Sequence, residues 1–327
     1  MIGAKVIQSS GNNRVHIVRY DGSSAEAWRS IVVVADNGHF MFDRAYMDYH
    51  EDRFDDCSFL VYRDQHLIGV VPGNIRGEAW CSHGGLTFGG LLLLPKFNRI
   101  SVVKEVYDML FSTLLGQGVK AALVKPVPWI YHRVPAEGEI YALNAIADAR
   151  CLTEVTTTVD LKADAKPSSL RLRGRKRALK AGFSVVQSND FSSFWKILSA
   201  RLQEKYERMP VHSCEEIILL AARFPKQIKL FLVNDDQGIP QGGTVIFETE
   251  TVAHAQYISA TPDGMNNGAW DLLFLEVIEQ YRSIGKRYFD FGISTENDGK
   301  YLNEQLASFK EGFGGRSVVH HKFEIGL

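Results

Sequence analysis

The sequence has few cysteines and no long apolar run. Its four cysteines, Cys57, Cys81, Cys151 and Cys214, lie far apart, and no Cys-x-x-Cys pair or other zinc-ligand spacing occurs. Scattered cysteines are typical of reduced, cytoplasmic proteins. The longest apolar runs are far shorter than the roughly 18 residues that a membrane-spanning helix needs. We therefore expect a cytoplasmic protein with no metal site and no transmembrane segment.

The sequence also lacks a dominant charge. It has 37 Lys and Arg against 38 Asp and Glu, a net charge of −1, so the whole molecule has no general attraction to nucleic acid or acidic membranes. Its first residues show no apolar stretch behind a basic start, which predicts no secretory signal. The 45% hydrophobic and 23% charged content is that of a folded globular protein. A length of 327 residues favours two domains.

The two halves of the chain share residues in the same order. The offset is roughly 170 residues, far longer than the 20–50 residues of solenoid repeats. The matching groups are Trp28 with Trp195, Arg53-Phe54 with Arg223-Phe224, Phe59-Leu60-Val61 with Phe231-Leu232-Val233, and Gly118 with Gly285. Four matches in order indicate a duplicated domain.

Each half has the same predicted order of elements. Apolar spacing in the second half predicts two helices, a hairpin, a third strand, a helix and a fourth strand, at residues 191–207, 214–223, 229–248, 252–260, 269–284 and 288–291. Helices at residues 24–34 and 43–53 begin the first half in the same way. An antiparallel meander followed by a strand–helix–strand crossover predicts an α/β fold with a mixed sheet and helices on both faces. A polar stretch with a proline places the domain boundary near residue 165.

The last forty residues carry the clearest functional pattern. Residues 288–296 read Tyr-Phe-Asp-Phe-Gly-Ile-Ser-Thr-Glu, and residues 309–315 read Phe-Lys-Glu-Gly-Phe-Gly-Gly. An acid inside an apolar strand is unfavourable in a core unless it is paired or solvated. Here the strand carries Asp290 and ends at Gly292, and Lys310 and Glu311 follow further along the chain. This pattern therefore indicates a site at the open end of a sheet.

These segments, together with Pro210-Val211-His212-Ser213 and the strand His254-Ala255-Gln256-Tyr257-Ile258-Ser259-Ala260, resemble the GCN5-related N-acetyltransferase (GNAT) fold. The tandem arrangement resembles the Fem family of peptidoglycan-bridge aminoacyl transferases and their acyltransferase relatives, some of them associated with bacterial cell-surface polysaccharide synthesis. The resemblance implies two GNAT-like domains: a degenerate, cleft-forming domain at residues 1–165 and a catalytic domain at residues 166–327.

The resemblance also implies an activity. A GNAT-type acyltransferase would move an acyl group, such as acetyl, from acetyl-CoA or another acyl-CoA to the amine of a small molecule. A nucleotide-linked amino sugar for surface polysaccharide is one such acceptor. Two alternatives stay open: a Fem-type transferase that uses aminoacyl-tRNA, and a non-catalytic binding protein that keeps the fold.

The segment at residues 264–269 is the candidate phosphate loop. Its glycines and asparagines tolerate positive φ, and a helix begins after it, so exposed backbone N–H groups could bind a pyrophosphate. The resemblance implies that coenzyme A contacts Ser259, Ala260, Gly264, Asn266, Asn267, Gly268 and Ala269. An ordinary strand-to-helix turn explains the segment equally well. The basic residue that GNAT proteins usually have here is absent.

His254 and Asp290 are the candidate catalytic pair. Alternation along the strand places His254 and Gln256 on one face and Tyr257 on the other. The ordinary pKa of histidine, about 6.5, suits a base that accepts a proton from an attacking amine. Asp290 could orient substrate or act as a base at the end of its strand. The alternatives are a hydrogen-bonded core histidine and an aspartate paired with Arg287.

Lys310 is the third candidate catalytic residue. Phe309-Lys310 matches a Phe-Lys pair that contacts the substrate phosphate in the Fem family, so the resemblance implies a phosphate or oxyanion contact for Lys310. A solvent-facing helix end is the alternative. We expect the substrate to contact Gln256, Tyr257, Ser294 and Glu311.

Two further segments have less specific patterns. Six basic residues occur between Arg171 and Lys180 without interleaved aromatics, so the stretch indicates a solvated helix. This pattern argues against nucleic acid as a partner. Only the Fem-type alternative would use the stretch to bind tRNA. Residues 126–132, Pro-Val-Pro-Trp-Ile-Tyr-His, could form a wall of a cleft between the domains or a rigid packed loop.

Overall fold

The computed structural model describes residues 14–327 and, within that range, nothing of the side chain of Tyr206. The first half contains strands and helices in the order β1 (Val15–Arg19), α1 (Ala25–Val34), α2 (Arg44–Met47), β2 (Asp55–Asp56), β3 (Phe59–Arg63), β4 (His66–Val71), β5 (Asn74–Arg76), β6 (Ala79–Cys81), β7 (Leu92–Leu93), α3 (Ile100–Gly116), β8 (Ala121–Val124), α4 (Gly138–Asn144) and β9 (Ala149–Asp160). Short 3₁₀ turns occur between several of them, including Asp48–Arg53 and Trp129–Tyr131.

The second half repeats this order with additions at both ends. It contains α5 (Ser169–Lys180), β10 (Ser184–Ser188), α6 (Phe191–Tyr206), α7 (Cys214–Arg223), β11 (Ile228–Asn234), β12 (Pro240–Glu248), β13 (Val252–Ala260), α8 (Pro262–Asn267), α9 (Ala269–Ser283), β14 (Tyr288–Ile293), β15 (Thr295–Glu296), β16 (Tyr301–Leu302), α10 (Glu304–Glu311) and β17 (Arg316–Gly326). The α/β class predicted from the sequence is confirmed.

Local sequence explains where the helices begin. Ser213 caps α7: its side chain accepts a hydrogen bond from the N–H of Glu216, whose carboxylate accepts one from the N–H of Ser213. The prediction of one helix at residues 43–53 is wrong in part, because α2 ends at Met47 and a 3₁₀ turn follows. His50 lies in that turn with φ −129° and ψ 33°, outside the helical region.

The repeat predicted from the sequence also appears in the packing. Trp28 of α1 donates a hydrogen bond to the carbonyl oxygen of Phe42 at 2.7 Å, and Trp195 of α6 donates one to that of His212 at 3.1 Å. Both tryptophans are buried, and each holds the segment that follows its own helix. The two halves therefore use the same anchor.

The two halves share one continuous sheet. In the described part of the chain its strand order is β10-β11-β12-β13-β14-β9-β17-β8-β6-β5-β2, while β1-β3-β4-β7 forms a second sheet. The last strand of each half pairs with the other half: β9 lies against β14, and β17 lies against β8. β9 and β17 also pair with each other from Arg316↔Thr158 to Ile325↔Ala149. The halves have therefore exchanged their final strands.

Buried apolar side chains form three clusters within residues 14–327. One fills the first half and one the second. The third combines residues from both, among them Trp28, Tyr131, Trp195 and Phe247. The connection from β9 to α5 spans residues 161–168 and contains the predicted boundary near residue 165, and the division into domains stays a prediction.

Candidate active site

The candidate site lies where two parallel strands separate. β13 and β14 pair through Val252↔Tyr288, Ala253↔Phe289 and His254↔Asp290, and no further pairing between them follows, although both strands continue. Gly292, two residues past Asp290, has φ +76°, a conformation that favours glycine. A β-carbon at Gly292 would lie 3.4 Å from Cε1 of His254. His254 and Asp290 therefore form the last pair before the two strands separate, and their role as site residues stays a prediction.

Asp290 is fully buried and accepts four hydrogen bonds. Its Oδ2 lies 2.7 Å from Nδ1 of His254 and 3.0 Å from the hydroxyl of Tyr131. Its Oδ1 accepts from the hydroxyls of Thr156 and Thr158. Burial raises the pKa of Asp290, but the hydrogen bond and charge of His254, the field of His320 and the Thr156 hydroxyl outweigh it and hold that pKa well below its usual range.

Arg287, the alternative partner for Asp290, lies elsewhere. Its guanidinium stacks over the ring of Tyr288, 5.0 Å from the centroid. The partner of the buried carboxylate is a histidine and three hydroxyls, so the interpretation of Asp290 as half of an Arg–Asp pair is wrong.

His254 presents one nitrogen to Asp290 and leaves the other available. An ionised carboxylate can only accept hydrogen bonds, so Asp290 accepts one from Nδ1 of His254, and Nε2 is the nitrogen that can face a ligand. Nε2 makes no hydrogen bond with any residue in the described range 14–327. A histidine held this way by a buried carboxylate has the geometry of a general base.

The first half contributes Tyr131 to this cluster. Tyr131 ends the 3₁₀ turn after Pro128, is buried, and contacts both His254 Nδ1 (3.1 Å) and Asp290. Burial and the charge of Asp290 raise the pKa of Tyr131 well above its ordinary value, so its hydroxyl stays protonated. The segment at residues 126–132 thus supplies the side chain of Tyr131 to the cluster. A cleft wall is one of the two roles predicted for this segment.

Three residues of the cluster were not predicted from the sequence. Thr156 and Thr158 come from β9, and His320 comes from β17. His320 is 9% exposed, and its Nε2 has no hydrogen-bond partner among residues 14–327. Burial lowers the pKa of His320 to about 4 against the opposing charge of Asp290, so its ring is neutral at pH 7. Only the strand exchange brings these residues to Asp290. The run of three consecutive threonines at residues 156–158, two of which face Asp290, was the available signal.

Lys310 is buried, which the alternative of a solvent-facing helix end did not predict. Its Nζ donates hydrogen bonds to the carbonyl oxygens of Gly292 (2.8 Å) and Ile293 (2.7 Å). Burial lowers the pKa of Lys310 to about 8, and the charge of Asp290 acts in the opposite direction. The lysine therefore holds the end of β14 directly after the His254–Asp290 pair.

A bulge in β13 changes which side chains share a face. The β12 partners of Ala255 and Tyr257 are consecutive residues, Ile246 and Val245, so Gln256 is an extra residue. As a result Tyr257 packs on the same apolar cluster as Val252, whereas Ala255 lies in the cluster on the opposite side. The expectation that Tyr257 faces away from His254 is wrong for this reason. Tyr257 hydrogen-bonds His212.

Gln256, Ser294 and Glu311 differ in exposure. Oε1 of Gln256 and the hydroxyl of Ser294 are buried without hydrogen-bond partners in the described part of the chain, so both can still bind a ligand. Glu311 is exposed and lines a surface depression with Arg171 and Phe309. The structure thus separates Glu311 from the buried cluster.

The predicted phosphate loop is a short helix. Thr261 accepts a hydrogen bond from the N–H of Gly264, and Pro262 starts helix α8, which ends at Asn267. Gly268, with φ 84°, then separates α8 from α9. The open-loop conformation expected for residues 264–269 is therefore wrong, because a threonine cap followed by proline begins a helix. Ser259, Ala260, Gly264, Gly268 and Ala269 are buried, and only Asn266 is fully exposed.

Helix α5 supplies the basic residues that the loop lacks. A pocket of about 500 Å³ at the start of α9 is lined by Arg171, Arg173 and Arg177 of α5 and by Trp270. Arg171 is paired with Asp271 at 2.6 Å, whereas the other two arginines are exposed. The start of α9 and these arginines together form a positively charged surface.

No helix in the described range is both long and apolar enough to cross a membrane. Among the same residues, no group of three or more His, Cys, Asp or Glu side chains could hold a metal ion.

Comparison with known proteins identifies the class of the second half. Residues 169–301 match the family model described as an acetyltransferase (GNAT) domain. A search of curated proteins gives no significant match. Residues 169–301 are therefore similar to GNAT acetyltransferase domains.

Similar solved structures extend this result to nearly the whole chain. A structure of FemX has a TM-score of 0.67 at 10% identity, over 95% of this chain and 97% of that one. The C-terminal domain of a putative lysylphosphatidylglycerol synthetase from Agrobacterium fabrum has a TM-score of 0.61 at 13% identity, over 92% and 91%. A tandem GNAT protein from the clavulanic acid biosynthesis pathway has 0.52 at 14%, over 96% and 98%. The chain has the fold of tandem GNAT and Fem-like proteins, as the sequence predicts.

Proposed function

We propose that this protein is an N-acyltransferase that moves an acyl group from an acyl-CoA, such as acetyl-CoA, to the amine of a small molecule. The observation that supports it most is the His254–Asp290 pair at the point where β13 and β14 separate. A gap between parallel strands can admit an extended donor, and the pair stands at its edge.

The reaction gives roles to three members of the cluster: His254, Asp290 and Tyr131. Nε2 of His254 accepts a proton from the acceptor amine, whose nitrogen attacks the thioester carbonyl carbon. The carbon–sulfur bond then breaks, the amide forms, and the proton passes to the leaving thiolate. Asp290 stabilises the imidazolium ion and fixes its orientation, and Tyr131 holds Asp290 from the first half. Positioning of donor and acceptor in one cleft would supply much of the rate.

Helix α5 would bind the phosphates of the donor. The pocket at the start of α9 presents exposed Arg173 and Arg177 beside a helix N-terminus, an arrangement suited to a pyrophosphate. We propose Ser259, Ala260, Gly264, Asn266, Asn267, Gly268 and Ala269 as the surrounding wall. The hydroxyl of Ser294 and Oε1 of Gln256, which have no hydrogen-bond partner among residues 14–327, would contact the acceptor together with Tyr257.

The acceptor that we propose is an amino sugar, linked to a nucleotide and used in the cytoplasm for cell-surface polysaccharide. An assay of free thiol release from acetyl-CoA and longer acyl-CoAs, with a panel of amino sugars, tests the activity. The His254→Ala variant is expected to lose at least about 100-fold in rate. His66→Ala, which removes an exposed histidine of a hairpin, should retain full rate.

A Fem-type aminoacyl transferase is the second candidate. The observation that favours it is the exposed basic surface of α5, which includes Arg173, Lys176, Arg177 and Lys180. Arg173→Glu with Arg177→Glu should abolish turnover of aminoacyl-tRNA if this candidate is correct. Turnover of acyl-CoA with no turnover of aminoacyl-tRNA would reject it. The third possibility is a binding protein without catalytic activity. In that case the native chain turns over neither donor, and the His254→Ala variant binds acceptors as the native chain does.

A further inference from the structure

A glycine-rich loop in the first half has no part in the proposed acyl transfer. It covers residues 82–90, Ser-His-Gly-Gly-Leu-Thr-Phe-Gly-Gly, after β6. The N–H of Ser82 donates to the carbonyl oxygen of Leu123 at 2.8 Å, and the N–H of Gly89 donates to that of Lys125 at 2.7 Å. A β-carbon at Gly89 would collide with the carbonyl oxygen of Ser82, so the second attachment requires glycine. The loop thus leaves the sheet and returns to it at two fixed points.

The loop stands at the place in the first half that corresponds to the candidate active site. β6 and β8 pair in parallel for three residues and stop at Cys81↔Leu123, just as β13 and β14 stop at His254↔Asp290. Cys81 and Leu123 cannot replace a base and a carboxylate. The first half therefore keeps the strand gap of the duplicated fold without its proton-transfer pair.

Cationic side chains surround this gap instead. A pocket of about 460 Å³ is lined by Arg53, Arg76, Lys125 and Lys322 together with Ser82 and His83 of the loop. Arg53 is paired with Glu216 at 2.6 Å and Lys322 with Asp298 at 2.7 Å. The pocket is thus positively charged, and only two of its four cations are neutralised by ion pairs with the protein.

Lys125 and Arg76 form no ion pair with any residue in the described range 14–327. Lys125 is largely buried, and burial followed by the charge of Lys322 lowers its pKa, against weaker opposing effects from Glu154 and Asp298. An ammonium group removed from water beside three other cations is unfavourable unless an anion neutralises it. The pocket is therefore incomplete without a negatively charged ligand.

We propose that this pocket binds the phosphate group of a small soluble molecule. A phosphate would neutralise the two unpaired cations together, and the guanidinium of Arg76 can bind two of its oxygens. The pocket volume lies within the range of small-molecule sites. The enclosing loop favours a soluble ligand over the flat surface of a membrane. The site is separate from the acyl-transfer cluster and does not depend on the proposed function.

Titration calorimetry of the full chain with inorganic pyrophosphate tests this proposal. Because α5 is itself a proposed pyrophosphate site, the titrations are also made with Arg173→Gln/Arg177→Gln in every protein. In that background the Lys125→Met/Arg76→Gln variant should bind at least about tenfold more weakly, since two charged hydrogen bonds are lost. A matched control, Lys104→Met/Arg99→Gln, removes the same charges from the exposed surface of the first half and should bind like the native chain. If the double variant fails to melt cooperatively, Arg76→Gln alone, at an exposed position, serves in its place.

Three results would overturn the proposal. The first is native-like pyrophosphate binding by the Lys125→Met/Arg76→Gln variant. The second is binding that Arg173→Gln/Arg177→Gln abolishes instead, which would place the anion at α5. The third is a native chain that does not bind millimolar pyrophosphate but binds phosphatidylglycerol vesicles, when the Lys125→Met/Arg76→Gln variant does not bind those vesicles. His254→Ala should leave pyrophosphate binding unchanged, which separates this proposal from the proposed function.

Discussion

At the scale of single residues, Asp290 shows how an ionised side chain is accommodated in the centre of a sheet. It is fully buried, yet every hydrogen bond that it accepts comes from a side chain that points to it from another strand or loop: His254, Tyr131, Thr156 and Thr158. Replacing any of these donors would leave a buried carboxylate short of one hydrogen bond. The arrangement is more elaborate than a core requires, which is why we assign it a chemical role.

Asp290→Asn is expected to preserve the shape of the site and remove its charge. The amide can donate towards Nδ1 of His254, which favours the wrong tautomer of the ring. We predict that acyl transfer falls by at least about 100-fold and that the free energy of unfolding falls by about 1–3 kcal/mol. Enzyme kinetics and urea unfolding measure the two effects.

The matched control for Asp290→Asn is Asp148→Asn, which changes an exposed aspartate in the turn before β9. It should alter neither quantity. Activity of Asp290→Asn within a factor of two of the native protein would contradict the role assigned to the carboxylate.

Lys310→Met is expected to loosen the end of β14. The variant keeps the length of the side chain but leaves the carbonyl oxygens of Gly292 and Ile293 without their donor. We predict a loss of about 2–4 kcal/mol in the free energy of unfolding, since two hydrogen bonds from a charged donor are lost. Thermal melting measures the change. An unchanged melting temperature would show that water molecules replace the ammonium group as hydrogen-bond donors to the two carbonyl oxygens.

At the scale of elements, the sequence predicts what is local. Helices α6 and α7 and strand β13 were placed well because capping residues and apolar spacing lie within each segment. His254 and Asp290 were found because polar residues stand out in apolar strands. Tyr131 was placed near the site only as part of a cleft wall. The sequence did not indicate Thr156, Thr158 and His320 as site residues. No local pattern predicts that β9 pairs with a strand of the second half and β17 with a strand of the first.

The strand exchange leads to a prediction for separated halves. A fragment of residues 166–327 lacks β9, the partner of β14, and a fragment of residues 1–165 lacks β17, the partner of β8. We expect each fragment alone to be unfolded or aggregated, because an unpaired strand edge and an incomplete core remain. Circular dichroism and gel filtration of each fragment test this expectation.

Co-expression of the two fragments provides the complementary experiment. It should yield a folded 1:1 complex that recovers the melting behaviour of the intact chain. Cooperative melting of either fragment alone would show that the exchanged strand is dispensable.

At the scale of the whole molecule, buried histidines make stability depend on pH. Burial lowers the pKa of His39 to about 3 and that of His83, His212 and His320 to about 4. Between about pH 6.5 and pH 4 the unfolded chain binds protons at these positions, and the folded chain does not. Stability therefore rises with pH across this window and is lost as the pH falls.

Urea unfolding at pH 7 and pH 5 measures this dependence, and His39→Phe tests its origin. The ring centroids of His39 and Phe42 are 4.3 Å apart, and neither ring nitrogen of His39 has a hydrogen-bond partner in the part of the chain that the structure describes. We compare the free energy of unfolding of His39→Phe with that of the native chain at each pH. Lowering the pH from 7 to 5 should shift this difference by about 1–2 kcal/mol in favour of the variant, since one group contributes at most about 1.4 kcal/mol per pH unit. An equal difference at both pH values would contradict this explanation.

The interlaced strands also bear on how the chain folds as it is synthesised. Strand β8 is made early, but its partner β17 is made only after the other strands and helices of the second half. An N-terminal domain usually folds while the rest of the chain is still on the ribosome. Here the sheet of the first half cannot close until β17 has been made, so the nascent chain exposes the edge of β8 while the second half is synthesised.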